Sequence, residues 1–65
     1  MVADIDIYRS AKLLIQQHGT AAWLEAATRF RELKAQGDLE GAVVWKRIAA
    51  AIAELDDMKG ADTLH

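Results

Sequence analysis

Two glycines divide this chain, and each is followed by a residue that can begin a new helix. Gly19 precedes Thr20, and Gly37 precedes Asp38. Glycine readily adopts the left-handed backbone conformation that commonly ends a helix, because it has no Cβ to clash. Threonine and aspartate side chains can accept hydrogen bonds from the first unpaired N–H groups of the next helix. The Gly-Thr and Gly-Asp pairs therefore predict two very short connections between helices.

The segments that these glycines separate have apolar residues at a period near 3.6, which indicates amphipathic helices. The predicted helices span residues 5–18, 21–36 and 39–57. We expect Asp4 or Asp6 to cap the first helix. Gly60 follows the third segment, and residues 58–65 have little apolar content, which predicts a flexible C-terminal tail. The chain has no proline to interrupt a helix, so the predicted fold is a compact all-α domain of three helices.

The predicted core takes the large side chains on the apolar faces of the three helices. These candidate core residues are Tyr8, Leu14, Ile15, Phe30, Leu33, Val44, Ile48 and Ile52. Gly41 lies on the apolar stripe of the third helix, where we expect it to let another helix or Trp23 approach closely. His18 lies at the end of the first helix, where a basic side chain interacts favourably with the helix dipole.

Several apolar residues do not fit into one small core. They are either scattered surface residues, or covered because the third helix is central, or part of a contact surface for another chain. The two tryptophans are either core anchors or partly exposed interface residues. The candidate interaction surface consists of Leu24, Val43, Trp23 and Trp45, with Leu13 and Ala50 also outside the apolar stripes.

The length of 65 residues allows one domain with a thin stability margin. Small domains gain the missing stability from disulfides, metals or association. The chain has no cysteine, which excludes disulfides and thiolate metal sites and fits a reducing compartment. We therefore expect a homo-oligomer, with a dimer favoured and another protein as the alternative partner.

The sequence predicts no catalytic site. The candidate groups form no nucleophile–base set that a core of this size could hold in a pocket. They are Ser10, Thr20, Thr28, Thr63, Tyr8, His18 and His65. The paired aspartates lack the longer alternating array of a calcium loop. We expect a non-catalytic interaction or structural protein without a cofactor or a metal.

The net charge of −2 gives no general attraction to nucleic acid or to anionic membranes. A helix-turn-helix reader is the second hypothesis, with basic residues on helices two and three: Arg29, Arg31, Lys34, Lys46 and Arg47. A recognition helix presents polar side chains near its start, whereas helix three begins LEGAVVW, so nucleic-acid binding is the less favoured reading. No segment has the pattern of a signal peptide or of a membrane span, and we expect a cytoplasmic protein.

Two resemblances follow from motifs in the chain. Residues 37–56, GDLEGAVVWKRIAAAIAELD, resemble the turn and second helix of a tetratricopeptide repeat, but they depart from it at Leu39 and Lys46.

Nearly the whole chain is similar to a family of short bacterial proteins classed as a domain of unknown function. Tyr8, Gln17-His18-Gly19, Gly37-Asp38, Gly41 and Trp45-Lys46-Arg47-Ile48 carry that similarity. It implies a compact helical fold in a bacterial cytoplasm and no particular activity.

Overall fold

The computed structural model describes the backbone of residues 3–63 and the side chains of residues 3–56. Three α-helices follow one another: α1 (Asp4–His18), α2 (Ala22–Ala35) and α3 (Leu39–Thr63). A 3-10 turn, Gly19–Ala21, joins α1 to α2, and residues 36–38 join α2 to α3. No strand occurs between residues 3 and 63, so the predicted all-α three-helix domain is confirmed.

The connection between α2 and α3 is closed by hydrogen bonds on both sides of Gly37. Gly37 has a φ of 84° and donates its N–H to the Lys34 carbonyl at 3.1 Å. Asp38 donates its N–H to the Leu33 carbonyl at 2.9 Å, which completes a Schellman motif. The Asp38 carboxylate then accepts the Gly41 N–H at 3.0 Å, as a helix N-cap does. The predicted roles of Gly37 and Asp38 are therefore confirmed.

Gly41 lies directly against this cap. A Cβ at Gly41 would lie 2.6 Å from Asp38 Oδ2, closer than side-chain atoms approach one another. The three atoms nearest to that Cβ all belong to the capping carboxylate, and the expected close approach of another helix or of Trp23 stays a prediction. Any larger residue at this position would have to displace the Asp38 side chain.

The other two helix starts have no side-chain cap. Gly19 does end α1, with a φ of 57° and its N–H donated to the Ile15 carbonyl. Thr20 lies inside the 3-10 turn, and Ala21 is the N-cap of α2, so the predicted Thr20 cap is wrong. Ala3 is the N-cap of α1, and Asp4 and Asp6 instead lie in its first turn, where negative charge is favourable.

The third helix is longer than predicted. It extends to Thr63, so the expected end at residue 57 is wrong, and the backbone of residues 58–63 continues the helix. Gly60 does not end it, because one helical glycine costs only about 1 kcal/mol and no proline follows. Residues 64 and 65 of the predicted tail lie outside the described residues.

The helices pack around a core made mainly of small side chains. Helix α3 contacts both of the others, most extensively α2. Between residues 3 and 56, five of the eight buried apolar residues are alanines, and the other three are isoleucines. The buried residues are Ile7, Ala11, Ala22, Ala26, Ala42, Ile48, Ala51 and Ile52. Alanine at these contacts lets the helix backbones approach closely, which leaves little room for larger side chains between them.

The predicted core is therefore only partly the observed one. Ile48 and Ile52 are buried, and Leu14, Ile15 and Val44 are half-buried and pack against the core. Phe30 and Leu33 are half-buried. Tyr8 is exposed, so its place in the predicted core is wrong. Its ring lies at the edge of the α1–α3 contact, where the hydroxyl reaches Glu54.

Candidate interaction surface

Large apolar side chains lie on the surface of all three helices. Seven of them are exposed among the described residues: Ile5, Tyr8, Leu13, Trp23, Leu24, Leu39 and Val43. Within the same part of the chain, no large side chain is wholly removed from solvent. The apolar surface of this domain is thus distributed in an unusual way, with small residues inside and several large ones outside.

The outer face of α3 carries a continuous exposed row, which we call the outer ridge. It consists of Leu39, Val43, Lys46, Ala50 and Ala53, all exposed. These positions are separated alternately by four and three residues, which is the repeat of the contact positions in a coiled coil. Leu39 is 63% exposed and Val43 is 55% exposed, although both occupy apolar positions of that repeat. The face has the spacing of a helix–helix contact without a partner in the described chain.

A groove beside this ridge has Trp23 in its wall. The groove has a volume of about 420 Å³ and is lined by Ile15, Gly19, Thr20, Trp23, Ile52, Ala53, Leu55 and Asp56. The Trp23 side chain is 51% exposed, and Asp56 is the one charged residue of the lining. Ala53 belongs both to the outer ridge and to this Trp23 groove, so the two features adjoin.

A second, smaller and more open groove lies between α1 and α3, and polar contacts join its two walls. It has a volume of about 250 Å³ and is lined by Asp4, Ile7, Tyr8, Arg47, Ala50, Ala51 and Glu54. The Tyr8 hydroxyl donates a hydrogen bond to Glu54 Oε2 at 2.6 Å, and the Arg47 guanidinium pairs with Asp4. The hydrogen bond to Glu54 is the main reason that the pKa of the Tyr8 phenol is raised above its ordinary value.

The four residues predicted as an interaction surface do not form one patch. Trp23 lines the groove, and Val43 lies on the outer ridge. Leu24 is exposed but lies about 100° further round α2 than Trp23, outside the groove lining. Trp45 is half-buried and packs against the core, as the core-anchor alternative expected.

Sequence reasoning missed the residues that connect Trp23 with Val43. Leu39, Ala53 and Asp56 were not assigned to the predicted surface, although the four–three spacing from Leu39 to Ala53 is present in the sequence. An alanine such as Ala53 gives a weak signal, because it adds little hydrophobic area by itself. Ile5, which is exposed on α1, was also outside the predicted surface, whereas exposed Leu13 was among the apolar residues that did not fit the core.

Three of the basic residues proposed for nucleic-acid binding are engaged within the chain. Arg29 lies 3.5 Å from the Glu25 carboxylate, and Arg47 pairs with Asp4. The Lys34 ammonium lies 5.8 Å from the centre of the Phe30 ring. Arg31 and Lys46 are exposed on different helices. The contacts of Arg29 and Arg47 with carboxylates reduce the positive potential that a phosphate backbone would meet.

The candidate catalytic groups of residues 3–56 form no hydrogen bond with one another, and the side chains of Thr63 and His65 lie outside the described residues. Ser10 is half-buried on α1, His18 is exposed at the end of that helix, and the Thr28 hydroxyl donates to the Leu24 carbonyl at 2.8 Å. Among the described residues no group of three or more histidine, cysteine, aspartate or glutamate side chains is placed to hold a metal ion. None of the helices in the described part of the chain combines the length and the apolar character needed to cross a membrane.

Comparison of the chain with protein-family models, with curated proteins and with solved structures finds no match. The similarity to short bacterial helical proteins and the local similarity to a tetratricopeptide repeat therefore stay predictions.

Proposed function

We propose that this chain is a non-catalytic helical interaction or structural module that works as a self-associated species, with the dimer as its favoured form. The observation that carries the proposal is the distribution of apolar side chains. The domain buries mainly alanine, and large residues such as Leu39, Val43 and Trp23 stay more than half exposed. Exposed apolar surface of this kind is typical of a face that another protein covers.

The surface area of the chain supports the same proposal. A compact monomer of 7.2 kDa is expected to expose about 4,100 Å². This chain exposes 5007 Å², an excess of roughly 900 Å² to which the long α3 contributes. A standard protein interface covers about 800 Å² on each partner. The chain as a whole thus exposes more surface than a compact monomer of its mass, which is compatible with a partner that covers part of it.

The energetics of small domains favour association as well. A chain of 65 residues has a small core, and among the residues whose side chains are described only three that are larger than alanine are buried. Burial of apolar surface contributes about 25 cal/mol per Å², so the exposed leucine, valine and tryptophan side chains represent stabilisation that the isolated domain does not use. Association of two copies would recover part of it.

Sedimentation equilibrium over a wide range of protein concentrations tests the proposal. We expect the average mass to approach twice the 7.2 kDa of one chain as the concentration rises, and the helical circular dichroism signal to persist on dilution. A folded species that keeps the monomer mass at every concentration would overturn the proposal. Nucleic-acid binding is the less favoured function, because Arg29 and Arg47 already pair with carboxylates in the described part of the chain. The bacterial cytoplasm remains the proposed location, for which the absence of cysteine is the support.

A further inference from the structure

We propose that the dimer is two-fold symmetric and antiparallel, and that it forms through the outer ridge of α3. In this arrangement Lys46 of each copy lies in the Trp23 groove of the other copy, against Asp56. The inference rests on the proposed self-association. It specifies which face of α3 forms the contact, how the two α3 helices are oriented, and which pair of charges favours that orientation.

Charge complementarity is the first step of the argument. Lys46 is an exposed cation on the outer ridge, and Asp56 is an exposed anion on the wall of the adjoining groove. Neither makes an ion pair with any side chain between residues 3 and 56, whereas Arg29 and Arg47 both do. The same face of one copy thus offers an unsatisfied positive charge and an unsatisfied negative charge to a second copy.

The spacing of these two charges determines the direction of the partner helix. Lys46 and Asp56 are ten residues apart on α3, or about 15 Å along the axis. A two-fold axis near residue 51 reverses the second helix and brings Lys46 of each copy beside Asp56 of the other. A parallel pair would instead place Lys46 beside Lys46 and Asp56 beside Asp56, and like charges repel. The charges therefore select the antiparallel arrangement, in which the same surface patch serves both copies.

The residues between the two charges suit a close contact. Ala50 and Ala53 lie at the centre of the outer ridge, where the antiparallel helices would cross. Their small side chains permit an interaxial distance at the short end of the usual range of about 8–10 Å. Val43 and Leu39 continue the same row, so that their exposed side chains would lie along the last turns of the partner helix.

The Trp23 groove has the chemistry to receive a lysine side chain. The exposed indole of Trp23 offers an apolar and electron-rich face, and Asp56 offers a carboxylate. A lysine can lay its aliphatic stem on such a ring while its ammonium group reaches an acceptor. The groove volume of about 420 Å³ is ample for one lysine side chain.

Charge exchange tests the pairing, with sedimentation equilibrium as the measurement. Lys46→Glu and Asp56→Lys should each weaken dimerisation about tenfold, because the symmetry places every substitution in two contacts. The double variant Lys46→Glu/Asp56→Lys should recover most of the lost affinity, since it restores opposite charges with their sites exchanged. Lys12→Glu is the matched control, because Lys12 is exposed on α1, away from the proposed contact. It changes the net charge as Lys46→Glu does and should leave dimerisation nearly unchanged.

The outcomes separate this inference from the proposed function. A wild-type chain that stays monomeric at every concentration would overturn both. A wild-type dimer whose affinity responds to Lys46→Glu no more than to Lys12→Glu, or is not restored in the double variant, would overturn the α3 arrangement and leave self-association standing. Circular dichroism should show the same helicity in all variants, because every substituted side chain is exposed.

Cross-linking provides a second test that does not depend on charge. The chain has no cysteine, so a single substitution places one thiol on each copy. Ala50→Cys lies beside the proposed two-fold axis, and we expect oxidation to join the two copies efficiently. Leu39→Cys lies twelve residues from residue 51, so the two thiols would be about 36 Å apart and should not join. Efficient cross-linking through Leu39→Cys, or none through Ala50→Cys, would overturn the antiparallel arrangement.

Discussion

The inner and outer faces of α3 carry similar residue types and have opposite environments. Ile48 and Ile52 on the inner face are each 4% exposed, whereas Leu39 and Val43 on the outer face are mostly exposed. Hydrophobicity alone does not separate the two faces. The inner face is covered because α1 and α2 both bring small side chains against it. Burial in this domain thus follows from which neighbours can approach, and the outer face stays available to a second chain.

Truncation of one apolar residue on each face of α3 should give the largest difference in stability between the two faces. Ile52→Ala removes buried atoms and should lower the free energy of unfolding by about 2–4 kcal/mol. Val43→Ala should change it by less than about 0.5 kcal/mol in a monomeric sample. Urea denaturation of dilute protein measures both, because association would add to the apparent stability. Equal losses for the two variants would contradict the assignment of the faces.

The next largest change in stability is expected when a larger side chain replaces one of two adjacent alanines on α3. Ala51 is 3% exposed on the inner face, and Ala50 is exposed on the outer one. Ala51→Leu should destabilise the fold by about 1–3 kcal/mol, because Ala51 is buried in the core cluster and a larger side chain would force its neighbours to shift. Ala50→Leu should change the stability of the monomer by less than about 0.5 kcal/mol. A comparison of thermal melting curves distinguishes the two, and the prediction fails if Ala50→Leu is the more damaging change.

A substitution at the start of α3 measures the stability that comes from helix capping rather than from either face. Asp38→Ala removes the carboxylate that caps α3 and should cost about 1 kcal/mol. Thr20→Ala is the matched control at the other connection, where no side chain caps the helix, and it should cost a few tenths of a kcal/mol. Chemical denaturation of both variants is the measurement. A cost for Thr20→Ala as large as that for Asp38→Ala would show that the two connections are equivalent after all.

The smallest effect is expected at the boundary between the faces, where Tyr8 meets Glu54. The pKa of Tyr8 is raised because the protonated phenol donates to the Glu54 carboxylate. A raised pKa in the folded state means that this contribution to stability is present below the ordinary phenol pKa of about 10. It is lost as the pH rises through the higher folded value.

Thermal melting of the wild type and Tyr8→Phe at several pH values measures this contribution. The wild type should lose stability relative to Tyr8→Phe only at alkaline pH, since phenylalanine has no proton to lose. A stability difference between the two that stays constant through this pH range would show that the Tyr8–Glu54 hydrogen bond does not act in solution.

Local chemistry made the helices and one of their connections predictable from the sequence. The apolar periodicity marks the helices directly in the sequence. The ends at Gly19 and Gly37 and the cap at Asp38 depend on backbone angles and hydrogen bonds within a few residues, so they could be inferred without any distant contact. Thr20 shows the limit of such reasoning. It has the same position after glycine as Asp38, yet a 3-10 turn intervenes and places Ala21 at the N-cap.

The sequence by itself thus determined the helical class, the glycine connections and the presence of more apolar positions than a small core can hold. Only the tertiary structure decided which of them are buried. It buries Ala11, Ala26 and Ala51 because helices that approach closely exclude larger side chains from the space between them. Trp23 and Val43 stay more than half exposed because no other helix of the described chain covers their faces, although their hydrophobicity is greater. Burial depends on the distance between helices, and that distance is a property of all three packed together.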